Sequence, residues 1–226
     1  MQVIRKNPMN NIEYPFRIRR EGGFSVTELL MVVAVLIILT AISIPYLYSY
    51  TQKYQSEDQA LKMIDLMQEA KQMALTRRRT FRFEIDLTDN AMLIIDENGT
   101  DPDTLVKSIP LYNPAEVRVD TAPSTVGKPT PPTLNDAVFA TDGLGHKRGS
   151  DTVNGHNVWA ARFQSNGSVV TAGNAPVSAN IYIWPPKSSG SPDARTFGEV
   201  RALTLFGGTG GLRYWKYNGT KFVPFQ

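Results

Sequence analysis

The chain has 226 residues, of which 42% are hydrophobic, and it contains no cysteine. This length fits one ordinary domain with appendages or two small domains, and the hydrophobic content excludes a chain that is disordered throughout. The lack of cysteine excludes disulfides, thiolate nucleophiles and cysteine-based zinc sites.

The net charge of +3 is unevenly distributed along the chain. Residues 1–23 carry five basic and two acidic side chains, whereas residues 24–226 carry equal numbers of both. Positive charge confined to the stretch before an apolar segment predicts a membrane-orientation signal rather than a polyanion-binding domain.

Residues 24–44 form an apolar segment with one charged side chain, Glu28. A helix of this length spans about 30 Å, the thickness of a bilayer core. The preceding arginines predict a cytoplasmic N-terminus and an exported remainder. The segment fits three alternatives: a secretory signal cut near Ala41–Ser43, a plain anchor, or a leader cut before Phe24 so that the apolar helix is kept. The first is disfavoured because secretory signals have apolar cores of roughly 7–15 residues.

Glu28 favours the third alternative. A carboxylate in an apolar helix costs roughly 2–3 kcal/mol at the membrane centre and less near its end. A cut before Phe24 creates an α-amine about one helical turn from Glu28, on the same chain or on a neighbouring copy. The alternative explanation is that Glu28 snorkels to the membrane interface.

Residues Gly22 to Leu30, with the apolar run and Pro45, resemble the N-terminal motif of type IV prepilins. The resemblance implies that prepilin peptidase cuts after Gly23 and methylates Phe24, and that Glu28 assists filament assembly. Residues 1–23 would be the leader peptide and residues 24–45 the transmembrane and assembly helix. The implied partners are other pilins or pseudopilins, the peptidase, the inner-membrane assembly platform and membrane lipid, and no cofactor is implied.

Residues 46–78 are predicted to extend this helix as an amphipathic segment beyond a kink or loosening at Pro45. A packing stripe recurs at three–four spacing, and aromatic residues near the membrane suit an interfacial belt. The stripe comprises Ala60, Met63, Met67, Ala70 and Ala74, and the belt comprises Tyr46, Tyr48, Tyr50 and Tyr54.

Residues 79–226 predict a β-rich globular domain, so the fold class is α+β, a long N-terminal helix packed on an antiparallel sheet. The stretch Arg79–Asp86 alternates between an apolar face and a face expected to be solvated, which holds Arg82, Glu84 and Asp86. Further strands are predicted at 92–95, 158–163, 169–171, 180–184, 199–206, 212–217 and 221–225. Residues 99–157 are rich in proline and predict a long loop insertion with short strands at 117–119 and 137–140. The glycines of 207–211 predict a turn and not a P-loop, because the stretch lacks the P-loop lysine and no helix is predicted after it.

This second half is similar to the GspH/FimT-type minor pilins and pseudopilins. The similarity is carried by the Arg79–Ile95 hairpin, the aromatic strand and turn Phe163–Gly167, and the strand Val200–Leu205 with the later Gly211–Arg213. It implies a pilin-like fold for the whole chain.

Candidate chemistry is sparse. His146 and His156 are predicted in polar loops, where Asp142 or Asp151 are the nearest partners for a hydrolase or a metal site, but no serine elbow accompanies them. Asp96, Asp101 and Asp103 lack the spacing of an EF-hand loop. We therefore predict no catalytic residue, no metal and no enzymatic activity; an anchored exported enzyme using a histidine is the least favoured alternative.

The basic cluster Arg77, Arg78, Arg79 and Arg82 has two interpretations. It is a candidate contact for DNA phosphates, since backbone binding needs concentrated positive charge. The favoured interpretation is that these are solvated arginines complementing a helix C-terminus. The predicted function is a minor pilin or pseudopilin of the bacterial inner membrane, with a periplasmic globular domain, that joins a type IV pilus or type II secretion pseudopilus. A pilin-like adhesin or a receptor for DNA uptake is the alternative.

Overall fold

A computed structural model of the chain describes residues 23–97, 103–141, 145–148, 150–171 and 173–225. The predicted leader up to residue 22, the loop residues Asp101 and Asp142, and the side chain of Tyr48 lie outside what it describes. The chain divides into two compact units, residues 1–45 and 46–226.

The described residues form an N-terminal helix followed by strands. The helix, α1, runs from Val26 to Arg77, includes Pro45 and has 52 residues. The strands are β1 (Thr80–Asp86), β2 (Ala91–Glu97), β3 (Thr104–Pro110), β4 (Arg118–Asp120), β5 (Asn135–Asp136), β6 (Ala140–Thr141), β7 (His146–Arg148), β8 (Asp151–Val153), β9 (Asn157–Phe163), β10 (Val169–Val170), β11 (Ala179–Trp184), β12 (Arg201–Phe206), β13 (Gly211–Tyr217) and β14 (Phe222–Pro224). A 3-10 helix, Phe197–Glu199, precedes β12, so that strand begins later than predicted.

The strands form two sheets. Sheet A has the order β10-β9-β1-β2-β3-β7-β8, with β6 paired to β9, and sheet B has the order β14-β13-β12-β11-β4, with β5 beside β11. Pairings are antiparallel except β3 with β7 and β5 with β11. The fold class is therefore confirmed as α+β with an antiparallel-rich sheet domain.

The later part of α1 supplies one side of the main core. The predicted stripe is confirmed, because all five of its members are completely buried. They pack in one cluster with Phe81, Phe83 and Ile85 of β1 and with Ile181, Ile183, Leu203 and Leu205 of sheet B. Salt bridges at the rim tie the same helix to the sheets, from Lys107 to Glu69 at 2.6 Å and from Lys216 to Glu57 at 2.5 Å.

The prediction that one face of β1 is exposed to solvent is wrong. Arg82 and Asp86 are completely buried and Glu84 nearly so. Residues 145–148 lie over this face: the guanidinium of Arg82 donates to the Gly145 carbonyl at 3.3 Å, and His146 beside it is 1% exposed. Both faces of β1 are thus covered, one by apolar side chains and the other by residues 145–148.

Residues 99–157, which we predicted to be a loop insertion, contribute six strands among the described residues. The short predicted strands correspond to β4 and to the neighbourhood of β5 and β6, whereas β3 was missed. Strand β3 pairs along its length with β2 and extends sheet A, so this region builds the sheets rather than interrupting them.

Candidate functional site

The start of α1 holds the residues predicted for processing and assembly. Gly23 and Phe24 precede the helix, and Phe24 is 88% exposed. Ser25 and Glu28 form a reciprocal capping box: the backbone N–H of Glu28 donates to Ser25 Oγ at 3.2 Å, and the backbone N–H of Ser25 donates to Glu28 Oε2 at 2.9 Å. Each bond satisfies a backbone donor that the helix itself leaves without a partner. Glu28 therefore has a local structural role that we did not predict, although the Ser-x-x-Glu spacing is a recognisable signal for it.

The helix from Val26 to Leu47 is long and apolar enough to cross a membrane, and its side chains are exposed within the unit. Two hydroxyl groups in its middle part bond to the helix itself: Thr40 donates to the Leu36 carbonyl, and Ser43 donates to the Leu39 carbonyl at 2.8 Å. A polar group bonded to its own helix is compatible with a hydrocarbon environment. By length and composition this is a candidate membrane span, a description that also fits a signal sequence.

The structure separates the four arginines of the basic cluster. Arg77, Arg78 and Arg79 are exposed at the end of α1, where Arg77 stacks over the Phe81 ring and Arg79 approaches Asp96 at 3.7 Å. Arg82, in contrast, is completely buried. Arg82 is therefore not presented to a polyanion, which corrects the prediction that it belongs to a surface cluster.

Arg82 is the centre of a buried ion network on the outer face of sheet A. Its Nη1 donates to Glu97 Oε1 at 2.8 Å and to Asp103 Oδ2 at 2.9 Å, and its Nε lies 3.1 Å from Glu84 Oε2. Arg162 of β9 adds a second cation, donating to the same Glu97 oxygen at 2.7 Å. Asp103 and Asp96 are thus paired with arginines, and this arrangement differs from that of a calcium loop.

The two histidines have opposite environments. His146 lies in β7 and is buried, with its Nε2 unpartnered, and burial, reinforced by Arg82 and Arg148, lowers the pKa of His146. His156 precedes β9, and its hydrogen bond with Asp86 raises the pKa of His156, with Asp89 and Glu84 adding to the effect. His146 was predicted in a loop and is instead part of a sheet.

His156 has a partner that the sequence did not indicate. Its Nδ1 lies 2.6 Å from Asp86 Oδ2 and 4.0 Å from Asp89 Oδ1. The sequence predicts Asp142 or Asp151 as the partner of a histidine. Asp151 lies in β8, where it is within hydrogen-bond reach of Ser150. The true partner is 70 residues away in the chain.

The glycine-containing turns of the second half pack on each other. Gly207–Gly211 connects β12 and β13 as predicted. A Cβ placed on Gly207 would lie 2.4 Å from the Val177 carbonyl oxygen, and one on Gly210 would lie 2.6 Å from the Gly167 carbonyl oxygen. Gly167 and Gly210 also have positive φ angles of 84° and 57°. Both turns therefore require glycine for close approach of two backbones.

A cleft of about 610 Å³ opens beside β9, with Asp136, Thr141, Trp159, Arg162 and Ser178 among its lining residues. Neither histidine lines it among the described residues. The candidate chemistry around His156 and this cleft are therefore separate features of the described residues.

No protein-family model, no curated protein and no solved structure matches the chain. The described residues define an antiparallel-rich β domain that is preceded by a helix apolar enough to span a membrane. Any further assignment depends on the chemistry of the chain's own residues.

Proposed function

We propose that this protein is a minor pilin or pseudopilin subunit, held in the bacterial inner membrane by its N-terminal helix and assembled through that helix into a type IV pilus or a type II secretion pseudopilus. The observation that carries the proposal is the exposed apolar helix Val26–Leu47, which starts two residues after Phe24 and contains Glu28 as its sole charged residue.

The position of the predicted cut supports keeping this helix. Peptidases need an extended peptide bond, and the Gly23–Phe24 bond lies in residues without helical structure. The alternative secretory cut near Ala41–Ser43 would fall inside the uninterrupted helix Val26–Arg77. Processing after Gly23 thus removes the leader and leaves the complete helix on the mature protein.

An exposed apolar helix has two suitable environments, lipid and the helices of other subunits. In lipid the segment is held as a monomer, and close packing against neighbouring helices then replaces lipid contacts in a filament. The β domain lies outside the membrane in this proposal and supplies the surface that distinguishes this subunit from others. The partners are other pilins or pseudopilins, the prepilin peptidase and the assembly platform.

The decisive test of processing is the intact mass and N-terminal sequence of the protein purified from membranes of its host. We expect a chain beginning at N-methylated Phe24. A chain that begins near Ile44 would make it an ordinary exported protein, and an uncut Met1 would make it a simple anchor. A Gly23→Val variant is expected to remain uncut, whereas Gly208→Val, in a turn of the β domain with open space around the added side chain, should be processed normally.

A second test separates the two roles of Glu28. Glutamine at the third helical position also completes a capping box, so Glu28→Gln keeps the cap and removes the charge. If the carboxylate pairs with the amine of Phe24, Glu28→Gln is processed but absent from filaments sheared from the cells. Glu28→Leu, which removes both cap and charge, is the comparison. Normal incorporation of the Gln variant together with loss of the Leu variant would show that Glu28 only caps the helix.

The exposed group Arg77–Arg79 favours DNA binding as the second candidate function. Each lost phosphate contact should reduce the slope of log binding constant against log salt concentration by about one. A gel shift with duplex DNA at low salt, comparing the wild type with the triple Arg→Gln variant and with Arg213→Gln as an exposed control, tests it. No binding by the wild type at low salt would exclude this function.

A further inference from the structure

We propose that Asp86, Asp89 and His156 form a binding site for one divalent transition-metal ion, with Zn²⁺ as the best match. The site lies where the β1–β2 turn meets the residue preceding β9. It is independent of filament assembly and of the N-terminal helix.

The three donor atoms already converge. One ligand atom from each of Asp86, Asp89 and His156 lies within 4.8 Å of the other two. Zinc holds nitrogen and carboxylate oxygen at about 2.0–2.2 Å, so tetrahedral ligand atoms are about 3.4 Å apart. The observed separations of 2.6 Å and 4.0 Å from His156 Nδ1 lie on either side of that value. Side-chain shifts of less than about 1 Å would therefore accommodate the ion.

The donor set is chemically suited to zinc. One imidazole nitrogen and two carboxylate oxygens are a mixed set that Ca²⁺ and Mg²⁺, which prefer oxygen ligands, do not favour. In the structure His156 Nδ1 and Asp86 Oδ2 share a hydrogen bond of 2.6 Å. A metal ion bound by both atoms would replace this hydrogen bond.

The remaining atoms of the carboxylates are already held in place. Asp86 Oδ1 accepts backbone N–H bonds from Thr88 at 2.8 Å and from Asp89 at 3.0 Å, which leaves Oδ2 for the ion. Arg148 binds Asp89 Oδ2 at 2.9 Å and leaves Oδ1. Such outer contacts orient metal ligands and reduce the cost of ordering them.

The backbone around His156 is fixed to the turn that carries the aspartates. The Leu87 N–H donates to the Asn157 carbonyl at 2.9 Å, and the Asn157 N–H donates to Thr88 Oγ1 at 2.9 Å. The ligands from two distant parts of the chain are thus held together before an ion binds.

The site is open on one side. The Asp86 side chain is completely buried, whereas His156 is 23% and Asp89 31% exposed. An ion can enter from solvent, and water can complete its coordination. Three protein ligands with an open position are the arrangement of reactive zinc sites rather than of closed structural ones.

The test uses full-length, tag-free protein in detergent micelles and Co²⁺ as a coloured substitute for Zn²⁺. The chain suits this test because it has no cysteine and two histidines, so neither thiolate binding nor a histidine-rich surface contributes. We expect one equivalent of Co²⁺ to bind with a visible absorption band, and one equivalent of Zn²⁺ to displace it. In nitrogen-15 spectra the imidazole signals of His156 should shift on Zn²⁺ addition, while those of His146 should not.

Variants identify the ligands. His156→Asn and Asp89→Asn should each weaken Co²⁺ binding by at least about tenfold, since even indirect partners of metal ligands change affinity by 10–100-fold. Asp151→Asn, an exposed aspartate in β8, is the matched control and should bind like the wild type. Asp89 is partly exposed, so its variant keeps the test usable if His156→Asn does not fold. Absence of saturable binding by the wild type, or equal binding by Asp89→Asn and Asp151→Asn, would overturn the proposal.

Discussion

Replacing Arg82 with methionine removes the cation from a buried ion network while roughly keeping the side-chain volume. Arg82 is completely buried and contacts Glu84, Glu97 and Asp103. Glu97 keeps a second cation in Arg162. Asp103 and Glu84 lose their arginine, and the side chain of Glu84 is 3% exposed. The variant therefore leaves carboxylates in the protein interior without this counter-charge.

Breaking a buried ion pair by removing one partner costs about 3–5 kcal/mol. For a domain of this size each kcal/mol lowers the unfolding temperature by about 2–4 °C, so Arg82→Met should lower it by about 6–20 °C. Arg79→Met is the matched control: that side chain is 56% exposed and lies 3.7 Å from Asp96. An exposed pair of this kind contributes about 0–1 kcal/mol.

Thermal unfolding followed by tryptophan fluorescence measures the difference. The three tryptophans, Trp159, Trp184 and Trp215, all lie in buried positions of the β domain, so the signal reports this domain and not the N-terminal helix. If the two variants unfold within about 2 °C of each other, which corresponds to about 0.5–1 kcal/mol, the ion network around Arg82 does not stabilise the domain.

Two further predictions concern the same domain. The pKa of His156 is raised above 6.5 and that of His146 is lowered below it. The contribution of His156 to the free energy of unfolding is therefore complete below pH 6.5 and is lost as the pH rises through the folded-state pKa of His156. The contribution of His146 is present above pH 6.5 and is lost as the pH falls below 6.5. Denaturant unfolding across this range should show a histidine contribution that is largest near pH 6.5, and a steady rise above that pH would contradict it. Gly207→Ala should destabilise the domain by about 1–3 kcal/mol, because the added Cβ would meet the Val177 backbone. Gly208→Ala is the control and should be near neutral, since open space surrounds that position. Equal stability of these two variants in the same assay would refute the close approach of Gly207 to the Val177 backbone.

Most strands could be predicted because apolar residues alternate along them. This holds for β1, β9, β11 and β13, and for the helix stripe, where one face packs in a single core. Strand β3 could not be found in this way, since a register shift opposite Ile94 and Ile95 interrupts its alternation. Leu105 consequently packs against Ala91, Leu93 and Ile95 of β2. Lys107, two residues later, reaches Glu69 of α1 instead.

The candidate site was only partly predictable. Contacts within a few residues leave a signal in the sequence, as the capping box of Ser25 and Glu28 does. The set Asp86, Asp89 and His156 joins residues that are 70 positions apart, and no local spacing records such a pairing. The identity of the partner of His156 depends on the pairing of β1 with β9, which brings Asp86 opposite Val158.

The charged face of β1 also explains why residues 99–157 cannot be a dispensable insertion. A charge on a covered strand needs a partner from whatever covers it. Here Asp103 and the Gly145 carbonyl meet Arg82, and His156 meets Asp86. The charged residues Arg82 and Asp86, which led to the prediction of a solvated face on β1, are therefore stabilised by residues 99–157, which were predicted to be a loop. A partner of the β domain would thus recognise only those parts of this region that face away from sheet A, because its inner residues are already committed to the fold.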